Sequence, residues 1–141
     1  MKFTGTRLGF WQGVAAVVAG VGLTACGASG GAPTIGDADV FVGCVQDSNG
    51  DYVWDFTAHV DDPEGFEDVA SVYVEVYTSS EEDATAIDSI DLDYQSEGHW
   101  LATIIESEKP SLDCANIQNF EFDFHAEDLA GNAAEGIIFV P

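Results

Sequence analysis

YVWDFTAHV, residues 52–60, alternates strictly between apolar and mixed positions. Tyr52, Trp54, Phe56, Ala58 and Val60 fall on one side of an extended chain, and Val53, Asp55, Thr57 and His59 on the other. Successive side chains of a strand point to opposite faces, so the stretch reads as a strand with one face toward a core. Just upstream, DSNG at 47–50 places Asn49-Gly50 where a hairpin turn belongs, and Val40 to Val45 forms the preceding strand.

The same period continues downstream. SVYVEVY puts Val72, Val74 and Val76 inward, with Tyr73, Glu75 and Tyr77 outward. IDLDY groups Ile90, Leu92 and Tyr94, and WLATI groups Trp100, Ala102 and Ile104. FEFDFHA turns Phe120, Phe122, Phe124 and Ala126 inward, and GIIFV closes the chain. Helical spacing is absent from Asp37 onward. Seven short two-faced strands separated by turn residues predict an all-β, antiparallel, two-sheet sandwich over 37–141.

FTAHVDDPEGFEDVASVYVEV, followed much later by FHAEDLAGNAAEG, resembles the immunoglobulin-like or fibronectin type III-like modules of bacterial surface proteins. The matching positions are Phe56, Ala58, Asp62, Pro63 and Gly65, then Ala126, Asp128, Ala130, Gly131 and Asn132. The sixth strand carries Phe120 and Phe122 where such modules often carry Tyr, and the antibody Cys-Trp-Cys pattern is missing. The resemblance implies a seven-stranded immunoglobulin-like topology. Loops 61–70, about 95–99 and 127–135 would then share one end, and Cys44 and Cys114 would lie near the other.

Residues 1–25 read as an export signal. Lys2 and Arg7 give a positive start, Gly9 to Leu23 form an apolar run too short for a comfortable membrane span, and small residues close it. The closing LTAC resembles the lipobox of bacterial lipoproteins, which makes Cys26 the lipid-bearing residue. Residues 26–36 are rich in Gly, Ala and Ser and read as a flexible linker. Gly27 is compatible with sorting to an outer membrane or cell surface rather than the inner membrane.

All 26 acids follow Cys26 and only Lys109 accompanies them, one lysine against 26 acids, which leaves a formal charge of −25. Such a field repels nucleic acid and anionic lipid and leaves basic proteins, cations or cationic surfaces as partners. A saline habitat explains the same acidity, since salt screens the repulsion of dense carboxylates. Cys44 and Cys114, an even pair in an exported chain, are expected to form a disulfide.

DDPEGFED, residues 61–68, sets five acidic side chains around Pro63 and Gly65. Asp62-Pro63-Glu64-Gly65 has the order of a type I turn, and Asp128 with Asn132 can cap the turn at Gly131. Turn chemistry alone accounts for these residues and is the preferred reading. The alternative is a calcium site, because Ca²⁺ takes six to eight hard oxygens and two acidic loops at one end could supply them. The candidate ligands are Asp61, Asp62, Glu64, Asp68, Asp128 and Asn132, in loops that also hold Glu67 and Glu127. DSNGD at 47–51 begins like an EF-hand loop, but Tyr52 and Ala58 stand where that loop requires Gly and Glu, so it is a turn.

His59 and His125 are expected on opposite outer faces and His99 in a loop, which leaves no histidine metal site. Tyr73, Tyr77 and His125, with an Ile or Phe of GIIF, form a candidate aromatic binding face. No nucleophile elbow, phosphate loop or Cys-His pair is present. A non-catalytic binding or structural module at the cell envelope is therefore expected, with a calcium-stabilised adhesin as the alternative. A small carboxylate-based hydrolase, the reading from a different class, would need a buried acid with a raised pKa.

Overall fold

The computed structural model describes residues 30–78, 85–134 and 136–141. The signal segment, Cys26 and the first part of the linker lie outside the described residues. Seven antiparallel strands form in chain order: β1 (Thr34–Gln46), β2 (Tyr52–Asp61), β3 (Val69–Thr78), β4 (Asp88–Ser96), β5 (His99–Ile105), β6 (Phe120–Asp128) and β7 (Ile137–Phe139). Short 3-10 turns at Phe66–Asp68, Glu106–Glu108 and Cys114–Asn119 complete the set.

The alternation that defines each strand also builds the core. Trp54, Phe56, Val60, Val74, Val76, Phe122 and Phe124 are fully buried, with Ala58, Val72, Ile90 and Ala126 almost so. Trp54 packs against Phe56, Phe120 and Phe122 at ring-centroid distances of 6.1, 6.3 and 6.0 Å, the geometry that aromatic rings favour. Two residues expected inward are not. Tyr52 and Tyr94 are 41% and 47% exposed, the first at the start of its strand and the second beside a register shift.

The strands lie in the order β1-β2-β5-β4-β3-β6-β7, hydrogen-bonded without a break. The expected all-β antiparallel architecture is present, and the two halves of the sandwich are joined into one continuous, curled order by β4. Its first half pairs with β3 (Ile90 opposite Val74), its second with β5 (Tyr94 opposite Trp100). Without that strand the order divides into the β1-β2-β5 and β3-β6-β7 layers of an immunoglobulin-type sandwich. Curling brings the two edges together, where Phe41 of β1 meets Phe139 of β7 at 6.5 Å.

Two features differ from the sequence expectation at the N-terminal side. The first strand begins at Thr34, inside the stretch read as linker, because Pro33 is fully buried and Ile35 is 8% exposed. A register shift between Ile35 and Val40 then restores pairing with β2. At the other end of β1, Cys44 is disulfide-bonded to Cys114, with Cα atoms 5.8 Å apart. The Cys114 N–H also donates to Glu106 at 2.7 Å, which fixes the short turn ahead of β6.

Candidate functional site

The acidic end is built from turn chemistry upward. Asp62 Oδ1 accepts the Glu64 N–H at 2.8 Å and its carbonyl accepts Gly65 N–H at 3.0 Å, the closure of a β-turn. Gly65 takes φ 113°, a region that side chains rarely tolerate, and feeds the 3-10 turn at Phe66–Asp68. The Asp68 carbonyl then accepts the Leu129 N–H at 2.8 Å, which ties the 61–70 loop to the loop after β6. In that second loop Asp128 accepts Asn132 N–H and Asn132 Nδ2, both at 2.7 Å. The 95–99 turn joins the same end, its Gly98 carbonyl accepting Val60 N–H at 2.8 Å.

These contacts gather three carboxylates. Asp62, Asp68 and Asp128 each present an oxygen within 4.8 Å of the others. Asp128 is 2% exposed, and Asp62 Oδ2 is buried without a hydrogen-bond partner. Burial pushes the Asp128 carboxyl up, but hydrogen bonds from Asn132, Ala130 and Gly131 outweigh it and hold the group below the usual carboxylate range. The remaining candidates stand apart. Asp61 is 68% exposed in its side chain and lies 3.5 Å from His59, while exposed Glu64 accepts the Gly31 N–H at 3.3 Å. Asn132 supports Asp128 through its amide.

The outer face of β3 and β6 holds the aromatic candidates together. Tyr73 stacks on His125 at 4.9 Å, since the two are paired across the strands. The Tyr77 hydroxyl donates to Glu75 at 2.6 Å, and that hydrogen bond to a carboxylate pushes the phenol up to about 12. His125 Nε2 sits 3.2 Å from Asp123 and 3.5 Å from Glu75. Ile138 of β7, opposite Asp123, is 62% exposed beside them.

One expectation is overturned. His99 is the first residue of β5 and lies directly across from His59, with ring centroids 4.5 Å apart. The histidines at this edge do converge, because β2 pairs with β5 in the register Ala58 to Trp100. No third ligand closes on the pair among the described residues. DSNGD behaves as expected: Asp47 accepts Asn49 N–H at 2.8 Å and Asp51 N–H at 3.0 Å, and Gly50 has φ 93°.

No family model matches the chain, and no curated protein matches it in sequence. Among solved structures, the chain is similar to the catalytic module of the multi-modular glycogen-degrading pneumococcal virulence factor SpuA. The likeness is 15% in identity, covers 70% of this chain and 12% of that one, and has a TM-score of 0.45, or 0.44 for the inhibitor complex. The product complex of the same virulence factor gives 0.44 over 9% of its chain. The chain thus spans about an eighth or less of those structures, and likenesses of this size carry no argument about its activity.

Proposed function

We propose that the chain is a non-catalytic, lipid-anchored module of a bacterial cell envelope, held through Cys26 and presenting an acidic β-sandwich for binding or structural duty. The observation that carries this reading is the Cys44–Cys114 disulfide. It consumes both cysteines of the folded part and fits an oxidising compartment, leaving Cys26 for the lipid. The outer membrane or cell surface is the proposed location. A protein or surface partner would meet the Tyr73, Tyr77 and His125 face, and nucleic acid is disfavoured by charge.

The hydrolase alternative needs a buried carboxyl held above its ordinary range, whereas Asp128, the buried acid of the described residues, is held below it. A second reading, the calcium-stabilised adhesin-type module, is favoured by the gathering of Asp62, Asp68 and Asp128.

The test is Cys26→Ser in the native host, read by fatty-acid labelling and by partition between membrane and soluble fractions. The wild type is expected to carry label and the variant to lose it, staying unprocessed or released while the domain folds. A Ser variant that remains membrane-bound and processed like the wild type would refute the anchor.

A further inference from the structure

Three carboxylates bring oxygens within 4.8 Å of one another, with Asp128 buried and Asp62 Oδ2 shut off from solvent, and a cation between them would relieve their mutual repulsion. No Lys or Arg supplies it, and no histidine forms an ion pair with any of the three, among the described residues. Lys109 is their sole Lys or Arg, and it is bound to Asp88 at 2.6 Å. Asp88 pairs with Val76 near the far end of β3, away from the Val69 end where the triad lies.

Hydrogen bonding satisfies only part of the triad. Asp62 uses Oδ1 on Glu64 N–H, and its Oδ2 is buried with no partner. The Asp68 carboxylate accepts no hydrogen bond among the described residues. Asp128 accepts from Asn132 on both oxygens and also from the Ala130 and Gly131 backbone, so it is the most fully satisfied of the three and the unmet acceptors are those of Asp62 and Asp68. An oxygen-only set, anionic and drawn from two loops about 60 residues apart in sequence, suits a hard cation with flexible coordination better than one that demands a strict octahedron.

We propose that Asp62, Asp68 and Asp128 form a calcium site that clasps the 61–70 loop to the loop after β6. Water completes the coordination, and Asn132 orients Asp128 through its amide. The clasped loop also holds Gly31 through Glu64, so calcium stiffens the point where the chain enters the domain. The proposal rests on the fold and not on the lipid anchor.

The experiment uses the full-length protein in detergent, with NaCl raised until the melting temperature stops changing, so that screening is already complete. Calorimetric titration with CaCl₂ is expected to show saturable binding, with a melting temperature that climbs as calcium rises. MgCl₂ is expected to give a smaller rise. Asp62→Asn keeps the Oδ1 acceptor and therefore the turn, and Asp68→Asn disturbs no side-chain hydrogen bond. Both are expected to fold and to lose the binding heat and the calcium increment, while Asp61→Asn keeps them. Wild type that binds no calcium, a magnesium effect equal to calcium's, or folded Asp62→Asn and Asp68→Asn variants that bind like wild type would each overturn the site.

Discussion

The Lys109 Nζ lies 2.6 Å from Asp88 Oδ1, and the Ser111 hydroxyl donates to the other oxygen of the same carboxylate at 2.6 Å. Burial pushes the Asp88 carboxyl up, but the hydrogen bonds from Lys109, Ser111 and Ser89 outweigh it and hold the group below its ordinary value. The pair joins the start of β4 to the segment between β5 and β6.

Lys109→Met is expected to destabilise the fold by about 1–2 kcal/mol, since it leaves a largely buried carboxylate without its cation. Asp88→Asn tests the linkage. A carboxyl depressed in the folded state contributes stability above its unfolded value and loses it as pH falls through the folded one. The gap between wild type and Asp88→Asn in denaturant unfolding should therefore be full at neutral pH and shrink below about pH 4. A gap independent of pH would contradict the pairing.

The disulfide spans a sequence separation of 70. In the chain-entropy model it contributes roughly 4 kcal/mol. Reduction, or a Cys44→Ala/Cys114→Ala variant, is expected to lower the melting temperature by about 20 °C. A thiol assay on denatured, unreduced protein should find both cysteines blocked.

Trp54 and Tyr52 test the inward face directly, because alternation alone puts both in the core while only Trp54 is buried. Trp54→Ala should cost about 3–5 kcal/mol. Tyr52→Ala should change stability by about 0.5 kcal/mol or less. Equal costs would mean that Tyr52 packs in the core as Trp54 does.

Tyr77 gives an alkaline marker. Its phenol is raised from 10.0 to about 12 by the bond to Glu75. The folded state favours the neutral phenol, so this contribution is complete below about pH 10 and disappears as pH rises through 12. Ultraviolet titration should show a tyrosine step near pH 12 that is absent in Tyr77→Phe and shifted down in Glu75→Gln.

The strands were legible because each buries a two-residue pattern, as Val72, Val74 and Val76 do. The turns around Gly65 and Gly131 were legible from their residues, whereas the convergence of the acidic loops was expected only through the topology that the family resemblance implies. Which acids turn inward was not legible, since the 3-10 turn at Phe66–Asp68 sends Asp68 to the triad while Asp61 stays outside. The contact of His59 with His99 depends on pairing between β2 and β5, strands distant in sequence, and no local pattern encodes that register. The double pairing of β4 was hidden for the same reason. Pro33 and Ile35 escaped notice because their small, Gly-rich neighbours dominate the composition of that stretch.

The crosslink at Cys44 also decides how the molecule responds to tension. A pull on the chain ahead of Thr34 runs along β1 and stops at Cys44, the eleventh residue of that strand. Only that short leader can peel from β2 before the covalent bridge takes the strain. The chain between Cys44 and Cys114, a separation of 70 residues, is withheld from extension. At about 3.4 Å per residue it amounts to roughly 240 Å of slack that a force applied at the two ends of the chain cannot release.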